Sequence, residues 1–266
     1  MKFPTLRNMA ISSSVLLAST VSADVLGIPY PREGEDPQAR CALDIHSPEG
    51  AKDLPVIVWF HGGGLTQGER SIPEELKNQS CVVVAAGYRL SPQVKCPTYI
   101  EDAASAVAWV FENIAQYGGN PDKIFLSGGS AGGYLATMIT LDKKYLAKHE
   151  IDSNRIAGLA PYTGQMITHF TIRQERGIPN LQAVVDEMAP LYHVQKDAPP
   201  ILLTAGDPEK ELLGRYEENA YFQRMMKLVG HPEIELVQIP GADHAGVTPP
   251  SHLLLLKFVK KHSPPQ

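Results

Sequence analysis

A short apolar strand that runs into a glycine-rich turn and out into a helix is the feature that most limits how this chain can fold. Lys123 to Ser127 reads as the strand, Gly128-Gly129-Ser130-Ala131-Gly132-Gly133 as the turn, and Ala131 to Leu141 as the helix. Only glycines leave room for neighbouring backbone at so sharp a reversal, and the turn holds its central serine in a strained conformation. The serine hydroxyl then lies at a helix N-terminus, where the helix dipole favours negative charge. A Gly/Ser-rich helix cap or a phosphate-binding turn can be written with the same residues, so the elements around the turn have to decide.

Those elements alternate. Leu54 to Phe60 and Cys81 to Ala86 are continuous apolar runs, and Ile156 to Ala160, Pro200 to Ala205 and Glu233 to Ile239 are further strand candidates. Arg40 to His46 sets Cys41, Leu43 and Ile45 against polar neighbours, the pattern of an edge strand. From Thr98 to Gln116, Ile100, Ala103, Val107, Val110 and Ile114 recur at helical spacing, and Gly118-Gly119 closes the helix. Arg215 to Val229 and His252 to Lys261 read as later helices. Continuous β-branched runs mark parallel strands covered on both faces. Strands alternating with helices predict an α/β fold, a mostly parallel central sheet flanked by helices. Ile28 to Gln38 reads as a Pro- and charge-rich lead-in, and Tyr162 to His193, which lacks a strand signal, is expected to fold over the turn.

Two more segments carry chemistry. His61-Gly62-Gly63-Gly64 directly follows a strand. Residues without side chains let backbone amides face a developing oxyanion, where each donor is worth roughly 3–4 kcal/mol. Gly63 and Gly64, with the backbone of Ala131, are the expected donors. Late in the chain, Gly241-Ala242-Asp243-His244-Ala245-Gly246 follows the last strand and sets a histidine among small residues. A free imidazole titrates near about 6.5, which suits it to take and return a proton near neutrality. Between them, the loop Ala205-Gly206-Asp207-Pro208-Glu209 offers Asp207 or Glu209 to orient the imidazole. The order serine, acid, histidine is that of one known triad arrangement.

Taken together, the His61–Gly64 run, Tyr88-Arg89-Leu90-Ser91-Pro92, the turn around Ser130 and Gly241–His244 resemble the bacterial esterases related to hormone-sensitive lipase and to the feruloyl/acetylxylan-esterase-like hydrolases. The resemblance runs from about Arg40 to the C-terminus. It implies the α/β-hydrolase fold and a serine hydrolase of carboxylic esters, short acyl or sugar-linked acetyl and feruloyl esters, without metal or cofactor. Ser130 would be the nucleophile and His244 the base. In such relatives the acid falls three residues after the glycine that ends the strand; counted from Gly206 this is Glu209, with Asp207 the alternative. The chain departs from the lipase-like relatives in having no long N-terminal cap and no clear G-x-x-D at the acid, so little or no cap is expected. Tyr162 to Arg176, with His169, Phe170 and Arg173, is the expected pocket wall, and His169 and Arg173 are the expected substrate contacts. The same machinery also cleaves amides, which leaves an arylformamidase-like or peptidase activity open, and a silent binding protein on the same fold is the reading from another class.

The N-terminus reads as an export signal. Lys2 and Arg7 give a positive start, Met9 to Thr20 a modestly apolar stretch, and Val21-Ser22-Ala23 a cleavage site. The expectation is a signal peptide over 1–23, one domain over 24–266, and a secreted or periplasmic protein. The formal charge of −5, with no basic block, argues against nucleic acid as a partner. Outside the N-terminus no apolar run approaches the roughly 20 residues that span a bilayer, so no membrane partner is expected for the mature chain. Three cysteines, Cys41, Cys81 and Cys96, imply no disulfide framework. Cys81 opens a strand about 23 Å long and Cys96 lies beyond its far end, too far apart to be bridged.

Overall fold

The computed structural model describes residues 23–212 and 214–264. The export expectation falls on residues outside these, except for Ala23, where the first strand begins. Eight strands form one sheet: β1 (Ala23–Pro29), β2 (Ala42–Ser47), β3 (Leu54–Phe60), β4 (Val82–Ala86), β5 (Gly119–Gly129), β6 (Gly158–Tyr162), β7 (Ile201–Ala205) and β8 (Ile234–Gln238). Their spatial order is β1-β2-β4-β3-β5-β6-β7-β8. β1 with β2 and β2 with β4 are antiparallel; the strands from β4 to β8 are parallel. Around the sheet lie α1 (Thr98–Asn113), α2 (Ala131–Leu141), a single turn α3 (Lys144–Ala147), α4 (Phe170–Glu175), α5 (Arg215–Leu228) and α6 (Thr248–His262).

The continuous apolar runs are explained by helices on both faces. In β3, Val56, Val58 and Phe60 join the core shared with residues of α1, α2 and α5. Ile57 and Trp59 point the other way, into the core that holds Leu255, Phe258 and Val259 of α6. Each such side chain contributes about 1.5–3 kcal/mol by leaving water. Every residue of α2 is buried. That suits a helix wedged between the sheet and its neighbours, and it explains why Ala131–Leu141 shows no polar face.

The sequence reading missed β1, whose first residue, Ala23, closes the expected leader and whose last two, Ile28 and Pro29, open the lead-in. Its exposed Val25 and Leu26 give no alternating pattern, and only pairing with β2 makes it a strand. The Tyr88-Arg89-Leu90 run finds its role just after β4. Arg89 places Nε 2.8 Å and Nη2 2.6 Å from the two Asp102 oxygens, and its backbone amide donates to Asp102 at 3.0 Å. Asp102 sits on α1, so this buried, two-pronged pair clamps the β4 loop to the helix behind it. All three cysteines are free.

Parallel strands carry their following loops to one edge, the place where ligands bind in open α/β sheets. Residues 61–64 leave β3, the serine turn leaves β5, Thr163 follows β6, residues 206–212 follow β7 and residues 241–246 follow β8. Every candidate loop of the sequence is therefore on the same edge.

Candidate active site

Ser130 caps α2 with φ 52° and ψ −114°, a conformation that a non-glycine residue adopts only under constraint. The constraint is visible. The Ser130 amide donates to the Tyr162 carbonyl at 2.8 Å, and the Tyr134 amide donates to the Ser130 carbonyl at 2.9 Å. A Cβ at Gly128 would lie 2.6 Å from the Phe60 carbonyl oxygen, and one at Gly132 would overlap the same carbonyl. Both outer glycines of the turn are thus required by β3 backbone packed against it.

The loop after β3 lies over this elbow. Tyr88 stacks on the His61 ring at 4.3 Å, and its hydroxyl donates to the His61 carbonyl at 2.7 Å. Burial pushes the His61 imidazole down to about 4, so it is neutral and structural. Gly63 has φ 110° and Gly64 φ 64°, and a side chain at Gly63 would collide with the Gln67 carbonyl. The amides of Gly63 and Gly64 donate to no acceptor among the described residues. Ser130, Gly62, Gly63, Gly64 and His244 line one open cavity of roughly 470 Å³, with Trp59, Phe170 and Leu212 as its apolar walls.

The carboxylate that reaches His244 is neither of those expected. Glu211 Oε1 lies 2.5 Å from His244 Nδ1, and the Glu211 side chain is fully buried while the ring is partly open to solvent. Four donors converge on this carboxylate: His244 Nδ1 and the Leu212 amide (2.8 Å) on Oε1, and the Thr163 hydroxyl (2.7 Å) and the Gly206 amide (3.3 Å) on Oε2. Burial alone would raise the group. The hydrogen bonds from His244, Thr163 and Leu212 override it and hold the carboxyl at about 2.

Asp207 does the work of a turn brace instead. Its Oδ1 accepts from the Glu209 amide at 3.1 Å and its Oδ2 from the Gly241 amide at 3.0 Å, tying the β7 loop to the β8 loop. Glu209 is exposed and does not line the cavity that holds Ser130 and His244. The expected spacing failed because Asp207-Pro208-Glu209-Lys210 closes a turn before the chain folds back. Glu211 then enters the site from five residues past Gly206. The available signal was its neighbourhood: of the three carboxylates in this loop, only Glu211 is followed directly by two leucines.

Of the segment expected to wall the pocket, Thr163 and Phe170 line the cavity. His169 is wholly buried beneath Phe170, 4.4 Å from that ring and 5.1 Å from Tyr134, and its Nδ1 accepts the Thr171 amide at the start of α4. Burial, with the charges of Arg215 and Arg173 nearby, holds His169 well below the ordinary imidazole range. Arg173 is buried as well. Its guanidinium donates to the carbonyl of Thr168 before α4 and to those of Asn180 and Gln182 after it, which ties the two flanks of the helix together. Neither residue lines the cavity of Ser130, so the substrate role expected of His169 and Arg173 is not what their positions offer. Among the described residues, no group of His, Cys, Asp or Glu is placed to hold a metal ion, and no helix is long and apolar enough to cross a membrane.

Residues 43–217, more than half of the chain, match the family model described as BD-FAE. The chain belongs to the BD-FAE family. The match takes in the glycine loop, the serine elbow and Glu211, and stops short of His244. Among curated relatives, the probable carboxylic ester hydrolase LipM of Mycobacterium tuberculosis is 27% identical over 215 residues, 72% of this chain and 49% of the relative. The esterase LipQ of the same organism is 29% identical over 214 residues, 72% of this chain and 50% of the relative. The chain thus spans about half the length of these two relatives. In fold, this BD-FAE chain resembles a truncated form of a carbohydrate esterase from gut microbiota, with a TM-score of 0.73 at 18% identity over 92% of this chain and 98% of that one. It also resembles Thermogutta terrifontis esterase 2 phosphoramylated by tabun, with a TM-score of 0.70 at 24% identity over 91% of this chain and 97% of that one. The α/β-hydrolase fold, with a mostly parallel sheet between two helix layers, is therefore shown both by the strand order and by these neighbours.

Proposed function

We propose that this chain hydrolyses carboxylic esters through an acyl-serine intermediate. The observation that carries the reading is a serine on a strained elbow that shares one cavity with a histidine bonded to a buried, ionised carboxylate. Ser130 attacks the ester carbonyl while His244 Nε2 takes the hydroxyl proton. Glu211 fixes the tautomer with the proton on Nδ1 and stabilises the imidazolium that forms. The amides of Gly63, Gly64 and Ala131 hold the oxyanion as charge develops on it. His244 then returns the proton to the leaving alkoxide, and water repeats the cycle on the acyl-enzyme.

The acyl group is small in this reading. Among the described residues, only Trp59, Phe170 and Leu212 give the open cavity of roughly 470 Å³ large apolar walls, a short surface that suits a small acyl chain. Thermogutta terrifontis esterase 2, which shares the fold, is described with propionate and with butyrate bound. Residues 1–23 act as an export signal in the same reading, which N-terminal mass spectrometry of the protein from its host would check. The test of function is a series of p-nitrophenyl esters from acetate to decanoate, run beside acetylated xylan, feruloyl esters and N-formylkynurenine. The reading expects turnover of the short esters, absent in Ser130→Ala. Equal rates in Ser130→Ala, or turnover of the formamide with none of any ester, would overturn it.

A further inference from the structure

Thr163, the residue that follows β6, has φ 45°. Positive φ is a genuine outlier for a β-branched side chain and persists only where the surroundings impose it. Here all of its polar backbone and side-chain groups are engaged. Its amide donates to the Thr204 carbonyl at 2.7 Å, and its carbonyl accepts from Arg215 Nη1 at 2.5 Å. Its hydroxyl donates to Glu211 Oε2 at 2.7 Å and lies 3.3 Å from His244 Nδ1. The preceding carbonyl, that of Tyr162, accepts from the Ser130 amide. Tyr162, the last residue of β6, and Thr163, the next one, thus join the nucleophile's elbow to the acid's loop.

We propose that Thr163 is a positioning residue for hydrolysis, one that orients the Glu211 carboxylate and, through it, His244. This rests on the assignment of Ser130, Glu211 and His244 given above. Of the four donors on Glu211, two are amides of its own loop and one is His244 itself. Thr163, which follows β6, supplies the remaining one. Without its hydroxyl, Oε2 keeps a single partner, the Gly206 amide at 3.3 Å. The carboxylate is then free to turn about its last torsion, and the lone pair of Oε1 leaves the line of the His244 Nδ1–H bond. The positive φ is what turns the hydroxyl toward Glu211, and the buried Arg215 guanidinium on the Thr163 carbonyl locks that conformation.

Three variants separate this role from that of an ordinary turn residue. Thr163→Val keeps shape and strain but removes the hydroxyl. Thr163→Gly removes the hydroxyl and relieves the strain, so it folds even where valine does not. Thr163→Ser restores the donor. The expected result with p-nitrophenyl acetate is a fall in kcat of about 10- to 100-fold for valine and glycine with KM within about threefold, and recovery by serine to within about threefold of wild type. The low-field imidazole proton resonance of the His244–Glu211 bond should weaken or shift in the first two and return in the third. Wild-type kcat in a folded Thr163→Gly protein, or a serine variant as slow as the glycine one, would overturn the inference. A wild-type rate that survives in Ser130→Ala would instead remove the assignment beneath it, so the two failures are distinguishable.

Discussion

Replacing Glu211 by glutamine changes one oxygen to an NH2 group and removes one buried charge. Oε1 faces two fixed donors, the Leu212 amide and His244 Nδ1. Oε2 faces the Thr163 hydroxyl, which can rotate to accept, and the longer Gly206 contact. The amide therefore settles with its oxygen toward His244 and its nitrogen toward Thr163, leaving the Gly206 amide opposed by a donor. That costs about 1–2 kcal/mol of stability. The catalytic loss is larger, because a neutral oxygen cannot balance the imidazolium. Opposite unit charges about 4 Å apart at an effective dielectric of about 20 attract by about 4 kcal/mol, which corresponds to a kcat loss of about 1,000-fold. Steady-state hydrolysis of p-nitrophenyl acetate, with thermal melts to confirm folding, measures both numbers. Glu209→Gln should leave kcat within about threefold, and Asp207→Asn should lower stability by about 1 kcal/mol with a modest change in rate. The reasoning fails if folded Glu211→Gln retains kcat within about tenfold while Asp207→Asn or Glu209→Gln abolishes turnover.

The same carboxylate gives a pH signature. Its folded value of about 2 lies below the ordinary 4.5, so its stabilisation is fully present above about pH 4.5 and is lost as pH falls toward about 2. The urea midpoint of the wild type should accordingly drop more steeply across that window than that of Glu211→Gln, and parallel curves would contradict it. Asp102→Ala leaves Arg89 buried without its partner and should destabilise by about 3–5 kcal/mol in urea; a loss under about 1 kcal/mol would show that the clamp is incidental.

What could be read from the sequence follows physical lines. β3, α2 and β7 were legible because continuous apolar runs and glycine boundaries reflect burial on both faces, which composition records directly. The elbow was legible because backbone-to-backbone contact at Gly128 and Gly132 admits no other residue. β1 was not, since a strand at the sheet's margin is made by its partner rather than by its own pattern. The carboxylate that meets His244 was not, since a loop can deliver one from any of several positions and the spacing of relatives encodes only one loop shape. Glu211 arrives after an extra turn that Asp207 holds closed. His169 and Arg173 were read as site residues because polar residues near a pocket attract that reading. Their burial depends on packing against Tyr134 and on carbonyls from both sides of α4, Thr168 before it and Asn180 and Gln182 after it, whose paths the sequence does not reveal.

The central claim is that Ser130 is the nucleophile, and one measurement addresses it without any assumption about the natural ester. The purified protein is incubated with a fluorophosphonate, and its intact mass and peptide map are recorded beside those of Ser130→Ala and His244→Gln. The account predicts a single stoichiometric adduct on the peptide that carries Ser130, no adduct in Ser130→Ala, and labelling slowed by at least about 100-fold in His244→Gln. An adduct on another residue, or labelling of Ser130→Ala at the wild-type rate, would contradict it.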